Sequence, residues 1–389
     1  MPTTTASMPT TTGFVLQTVS MPTTTGFTLF FLLLLALVAQ VSPLNPSLST
    51  HRPPRIIACA SSVELLRGVS AFVKPDSSVL EVGAQLTDVS AAILASGASY
   101  FAIDVERKAP LRSNEHNSGY RTACGSSLDY FAEVSSLSSV TSVMEGRGPF
   151  SLMLMDFSHM TGMDLPIDAI STISSLLASQ PSVTPTVVLK SKQLSKLASR
   201  LHHARKLVEG RSKLVDPPPL DTDSPFRTEH EPSIVAAVGV SEYRETIPHV
   251  VRETDFVLEI GCHHGTTTRL LDAAGAAAVG VDVGVGVVAT ARRQAPGLRF
   301  EVANAWSPAG LLRMLEGQSV DVIYVDVGGL SGQDGLLESM ALLRSLGNTL
   351  EPRTIVIKSK CMRDLSRDLT PFWEVWEKIR KNEKGSNPN

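Results

Sequence analysis

The chain has 389 residues, 43% of them hydrophobic and 19% charged, which excludes a disordered tail or a small disulfide-stapled module and allows two domains with proper cores. A formal net charge of −3 excludes a global electrostatic footprint for nucleic acid, while local basic patches stay open. Cys59, Cys124, Cys262 and Cys361 are scattered, without Cys-x-x-Cys or a His-rich partner spacing, so neither a disulfide framework nor a bound metal is expected.

Residues 1–54 form a leader unlike the rest. Met-Pro-Thr-Thr-Thr begins at Met1, Met8 and Met21, a low-complexity repeat with no core pattern. Phe27 to Ala39 is an apolar run too short to span a bilayer comfortably, with Ala39 a small residue suited to a cleavage site. A Ser-, Pro- and Arg-containing stretch follows, and the first acid is Glu64. A signal-like segment before an acid-free stretch implies a plastid address, with the secretory pathway or a membrane anchor at residues 27–41 as the alternative. No stable membrane insertion is expected once the leader is removed.

Beyond the leader, an apolar strand (Arg55 to Ala60) precedes a helix (Ser62 to Phe72), and strands and helices alternate up to Val188-Leu-Lys-Ser-Lys192. A Pro-rich linker, 214–232, excludes helix and supplies no strand donors. The pattern then begins again. Val79-Leu-Glu-Val-Gly83 matches Val257-Leu-Glu-Ile-Gly261, and Ile103-Asp-Val105 matches Val281-Asp-Val283, at a constant offset of 178 (Glu81 to Glu259, Asp104 to Asp282). Met155-Asp156 corresponds to Val325-Asp326, and Lys190-Ser-Lys192 to Lys358-Ser-Lys360. The chain therefore reads as α/β, two tandem Rossmann-like domains with mostly parallel sheets, at residues 55–213 and 233–384, packed on one another.

The most informative stretch is Glu259-Ile-Gly-Cys-His-His-Gly-Thr-Thr-Thr268, after the apolar run Phe256 to Leu258. Gly261 and Gly265 let the backbone turn sharply and let a ligand approach, and Thr266 to Thr268 open a helix whose free N–H groups favour a carboxylate. Asp282 closes the next strand, where doubly wound folds set an acid against ribose hydroxyls. Asn304-Ala305-Trp306 follows the third strand. The adjacent His263 and His264 are expected to diverge, with no third metal ligand near them.

In these residues the second copy resembles a class I S-adenosylmethionine-dependent methyltransferase. The resemblance implies S-adenosyl-L-methionine as cofactor, with Glu259 near its ammonium group and Gly261, Cys262, His263 and Gly265 along its methionine portion. It puts Asp282 and Val283 at the ribose and Asn304, Ala305, Trp306 and Asp326 around the remaining face. An amide oxygen at Asn304 can accept from the adenine amino group, and Trp306 either packs on the adenine or starts a helix as a core residue. The family's sheet ends in an antiparallel hairpin after its fifth strand. Too little chain follows Ile357 for one, so the strand preceding each copy's first helix is expected to cover that edge.

Thr87 stands in the first copy where the second has Gly265, so the N-terminal copy reads as degenerate. Asp326 and Lys358 end neighbouring strands and are the catalytic candidates, a placement resembling ribose 2'-O-methyltransferases of the FtsJ type. That family's second lysine has only Arg244 as a counterpart here, and Asp156 and Lys190 repeat the pair, which leaves a structural salt bridge open. The acceptor stays unidentified: RNA, through the basic stretches Lys190 to Lys213 and Lys358 to Arg367, a small molecule, and a protein all remain open. A catalytically silent cofactor-binding scaffold is the alternative function. A nicotinamide-dependent oxidoreductase is disfavoured by the missing Gly-x-Gly.

Overall fold

The computed structural model describes residues 55–83, 88–105, 129–134, 137–144, 146–156, 185–214, 231–331 and 335–385. The leader, the Thr87 position and most of the Pro-rich linker lie outside the described residues. The first half of the fold runs β1 (Arg55–Cys59), α1 (Ser62–Phe72), β2 (Ser78–Val82), α2 (Asp88–Ser96), β3 (Ser99–Val105), β4 (Tyr130–Val134), α3 (Leu137–Met144), β5 (Leu152–Asp156), β6 (Thr186–Lys190), α4 (Lys192–Arg200), β7 (Leu201–His203) and α5 (Ala204–Val208). The second runs β8 (Ser233–Ala237), α6 (Val240–Glu245), α7 (Ile247–Val250), β9 (Phe256–Ile260), α8 (Thr266–Ala273), β10 (Ala277–Asp282), α9 (Val285–Gln294), β11 (Arg299–Val302), α10 (Pro308–Leu315), β12 (Val322–Val325), α11 (Gly335–Leu350), β13 (Thr354–Lys358), α12 (Lys360–Asp368), β14 (Leu369–Pro371) and α13 (Phe372–Gly385).

Among the described residues these make two seven-stranded sheets, ordered β14-β1-β6-β5-β2-β3-β4 and β11-β10-β9-β12-β13-β8-β7. Adjacent strands pair in parallel throughout, as the alternating pattern predicts. The central strands are apolar on both faces because helices cover both: Val257, Leu258 and Ile260 of β9 are all buried.

The two sheets trade their last strands. After β6, Ser191 caps α4 by accepting the Leu194 N–H (3.3 Å), and α4 carries the chain across to the second sheet. There β7 pairs with β8, Leu201 against Ile234 and His203 against Ala236. After β13 the same device returns the chain: Ser359 caps α12 at Met362 (3.3 Å), and β14 pairs with β1, Ile56 against Leu369 and Ala58 against Pro371. The helices that follow are exchanged as well. Phe372 and Val375 of α13 are buried with Ile57, Leu65, Val69 and Val188 of the first sheet's core, while Ala204 and Leu207 of α5 are buried with Val235, Tyr243 and Val356 of the second.

The strand expected to cover the edge, β8, does join the sheet beside β13. It is not the edge: β7 lies outside it, contributed by the other copy. Residues 201–208 therefore belong to the second sheet and residues 369–385 to the first, so the sequence boundaries at 213 and 233 do not coincide with the lobes. Sequence periodicity marks where a strand lies along the chain, not which sheet it joins, and a three-residue strand carries too little pattern to mark even that. No described helix is long and apolar enough to cross a membrane.

A charge introduced on α13 should therefore damage the first lobe rather than the second. Val375→Asp places a carboxylate among Ile57, Leu65 and Val69 at a cost of several kcal/mol. Hydrogen–deuterium exchange is expected to speed up in β1 and α1 while β9 to β12 keep their protection; the opposite pattern would contradict the exchange.

Candidate functional site

In the second sheet the order β11-β10-β9-β12-β13 places a crevice between β9 and β12, where successive connections leave β9 in opposite directions. The turn after β9 sits at its mouth. Gly261 has φ 84°, and a Cβ there would lie 2.1 Å from the Asp326 carbonyl oxygen. Gly83 repeats this in the first lobe, with φ 80° and 2.2 Å to the Asp156 carbonyl. The glycine is thus demanded by the backbone of the neighbouring strand. Gly265, φ 77°, was expected to clear space for a ligand; instead a Cβ would fall 2.5 Å from the Phe300 ring. Its side-chain space is filled from β11.

Glu259 is only 2% exposed. The Thr268 hydroxyl, at the start of α8, donates to its carboxylate. Burial is the main reason its pKa is pushed up to about 7, opposed by the Thr268 and Thr267 hydroxyls. Arg244 Nε donates to Thr267 Oγ1 (3.0 Å), and beneath them the Tyr243 ring meets Tyr324 edge-on at 5.1 Å. The carboxylate expected at the cofactor's ammonium therefore faces inward and braces the start of α8. In the first lobe Glu81 does the same, accepting from Ser90 Oγ (3.0 Å) and the Tyr100 hydroxyl. Arg244 was legible as a basic residue before the strand, whereas Tyr243 and Tyr324 lie 81 positions apart and nothing in their sequence context links them.

In the turn the Cys262 N–H donates to the Val281 carbonyl (3.0 Å) and its thiol to the His263 carbonyl (3.7 Å). Its side chain is buried with Val288, Ala291, Ala295 and Phe300, and burial pushes the thiol up to about 12. His263 takes φ 47°, unusual for a residue with a side chain, and donates its N–H to Asp282 Oδ2 (3.1 Å). The His263 and His264 rings do not diverge; their centroids lie 3.8 Å apart at a 37° tilt. Among the described residues no cluster of three His, Cys, Asp or Glu side chains could hold a metal.

At the far side of the turn Asp282 also accepts the Gly284 N–H through Oδ1 (2.9 Å). Two backbone donors thus fix the carboxylate, and each oxygen keeps a lone pair for a hydroxyl. Val283 beside it is 71% exposed and Trp306 is 48% exposed. Between them Asn304 is exposed and its Oδ1 accepts the Trp306 N–H (3.0 Å), while Ala305 is buried beneath. Trp306 is thus no core residue. An oriented acid and an amide flanked by exposed apolar side chains form a strip across the ends of β10 and β11.

Asp326 and Lys358 meet as an ion pair at the ends of β12 and β13, each side chain about a quarter exposed (23% and 27%). Asp156 and Lys190 form the corresponding pair at 3.0 Å, and Lys190 also donates to Ser62 Oγ (2.7 Å). In the basic stretches, Lys196 pairs with Glu231 (2.6 Å), Arg205 with Glu209 (2.9 Å), Lys360 with Asp364 (2.8 Å) and Arg363 with Glu242 (3.4 Å). These charges are matched within the chain.

The core order of the second sheet, β11-β10-β9-β12-β13, is a doubly wound α/β order, continued beyond β13 by β8 and β7. No family model and no curated protein matches the chain. It is similar to a TehB-like SAM-dependent methyltransferase from Corynebacterium glutamicum at 19% identity, over 35% of this chain and 71% of that one, with a TM-score of 0.25. It is also similar to CalS10, an amino pentose methyltransferase from Micromonospora echinaspora, at 16% identity over 31% and 48% of the two chains, TM-score 0.25. A Haemonchus contortus phosphoethanolamine N-methyltransferase 2 is 12% identical over 83% of each chain, TM-score 0.23.

The raised Glu259 pKa carries a pH dependence. The folded value, about 7, lies above the ordinary 4.5, so the native state holds a proton that the unfolded state has lost, and stability falls as pH rises from 4.5 through about 7. The full window corresponds to roughly 3 kcal/mol. Thermal unfolding of wild type and Glu259→Gln across that range should show the difference between them changing by most of this amount, with the variant the flatter; parallel curves would contradict it.

Proposed function

We propose that the protein is an S-adenosylmethionine-dependent methyltransferase acting through its second lobe. The observation that carries this reading is the strip at the ends of β10 and β11, where Asp282 is held by two backbone N–H groups between exposed Val283 and Trp306. That arrangement suits an adenosine: the acid accepts from ribose hydroxyls, the Asn304 amide oxygen from an amino group, and the apolar side chains cover a base. The free N–H groups of α8 lie in line with the turn and favour the carboxylate of a methionine portion. S-adenosylmethionine supplies a methyl group on a sulfonium, and in-line displacement from it needs chiefly a positioned acceptor. Asp326 and Lys358, at strand ends across the crevice, are the side chains we assign to hold that acceptor and manage its proton.

The same pair in the first lobe favours a second reading, a silent scaffold that binds the cofactor without transferring its methyl group. The two separate cleanly. Calorimetric titration with S-adenosylhomocysteine should show Asp282→Ala weakening binding at least tenfold and Asp104→Ala leaving it unchanged; equal losses would remove the distinction between the lobes, and no binding to wild type would end the proposal. Lys358→Met should keep S-adenosylhomocysteine affinity within about threefold while abolishing transfer of labelled methyl groups to the RNA, protein and small-molecule fractions of an extract. Binding by wild type with no transfer to any fraction would identify the scaffold instead.

A further inference from the structure

The turn that leaves the first strand of each copy has one frame and two linings. The Ala60 N–H donates to Glu64 Oε2 (2.6 Å) after β1, and the Val238 N–H donates to Glu242 Oε2 (2.7 Å) after β8, so the turns correspond residue for residue at the offset of 178. Within that frame Ala60-Ser61-Ser62 becomes Val238-Gly239-Val240. Ser61 caps α1 by accepting the Glu64 N–H (3.3 Å), whereas Gly239 leaves α6 with no side-chain cap.

The turn borders the ion pair at the strand ends. Cys59 is the register partner of Lys190, and Ala237 that of Lys358. In the first copy Ser62 Oγ accepts from Lys190 Nζ (2.7 Å); Val240, at the matching position, has no oxygen to offer. Among the described residues Lys358 pairs with Asp326 alone, and its side chain is 27% exposed where that of Lys190 is 12% exposed. Val238 and Val240 are both exposed, and a Cβ on Gly239 would meet nothing within 4 Å. The neighbouring acid, Glu242, is matched by Arg363 (3.4 Å). The second copy thus has an open apolar wall beside a cation where the first has a serine tether.

Position and charge together restrict what this wall can hold. The order β10-β9-β12-β13-β8 sets the strip at Asp282 on one side of the Asp326–Lys358 pair and the turn on the other, as an in-line transfer requires. An ammonium has three donors and no lone pair, so Lys358 in its ion pair can hold an oxyanion but cannot take a proton from a weak acid. The acceptor must therefore ionise readily. A phenol ionises at about pH 10, as tyrosine does, and a cation beside it lowers that value. Alkyl and ribose hydroxyls are far weaker acids and would need a base that this pair does not supply.

We propose that Val238, Gly239 and Val240 form the acceptor wall and that the acceptor is an apolar phenol, its ring against the two valines and its oxygen on Lys358. The oxygen–carbon bond forms as the carbon–sulfur bond of S-adenosylmethionine breaks, S-adenosylhomocysteine leaves, and the phenol's proton passes by way of the Asp326 carboxylate to solvent. This inference rests on the methyltransferase reading and narrows it to one class of substrate.

The test compares 2-naphthol with decahydro-2-naphthol, an alcohol on the same carbon skeleton, as acceptors of labelled methyl groups from S-adenosylmethionine with the full chain. Wild type should methylate 2-naphthol at least roughly a hundredfold faster than the alcohol. Gly239→Phe, which fills the open space at an extended backbone position, should weaken 2-naphthol binding in the presence of S-adenosylhomocysteine at least roughly tenfold, read from naphthol fluorescence, with S-adenosylhomocysteine affinity and circular dichroism unchanged. Val240→Ser, which restores the first copy's tether, should lower kcat/KM for 2-naphthol by a similar factor. Equal rates on the two compounds, or 2-naphthol binding unaffected by Gly239→Phe, would overturn the proposal. Transfer to RNA but not to 2-naphthol would overturn it while leaving the methyltransferase reading intact, and absence of S-adenosylhomocysteine binding would end both.

Discussion

Everything else in this molecule depends on a parallel pairing three residues long, made twice. Leu369 to Pro371 lies beside Ile56 to Ala58, and Leu201 to His203 beside Ile234 to Ala236. A parallel strand requires a crossover, and here α4 and α12 supply it by leading out of one sheet and into the other. Each lobe is left with an edge that only its partner's chain covers, and with a core that includes a helix from its partner. Neither copy can be lifted away without uncovering β1 or β8. The two copies are consequently interlocked by exchanged strands and helices rather than joined by a linker alone.

This arrangement bears on what the paired motifs mean. Three features occur in both lobes: a glycine pressed against the next strand's carbonyl, a buried glutamate under the first turn of a helix, and an Asp–Lys pair at adjacent strand ends. The glycine and the glutamate answer packing and hydrogen-bonding demands of the fold, and the Asp–Lys pair is shared by both lobes. The features that suit an adenosine are of another kind. Val283 and Trp306 are apolar and exposed, which folding alone does not reward. In the register of β4 against β11, the first copy has Ser135 and Leu137 where the second has Asn304 and Trp306. The lobes share a frame and differ in what they present at its rim.

The sequence made the sheets legible because buried parallel strands are continuous apolar runs, and the offset of 178 between Glu81 and Glu259 made the duplication legible. Strand ends were legible too, since Asp282, Asp326 and Lys358 each follow such a run. Direction was not. Glu259, within β9, and Cys262, in the turn after it, both face inward, the first toward Thr268 and the second among Val288 and Phe300, and no local pattern marks those partners. Gly265 carried the expected conformation for an unexpected reason, the Phe300 ring. The exchange was beyond reach for the same cause: local pattern fixes an element, and only packing chooses its neighbour.

The position of β14 also sets an order of events during synthesis. A ribosome releases β1 more than three hundred residues before Leu369, the residue that pairs with Ile56. Throughout that interval the first sheet has an open edge of the kind that recruits other chains. The second lobe, by contrast, receives β7 and α5 before its own strands are made. The lobe translated first is thus the last to close, an order set by the route of the chain.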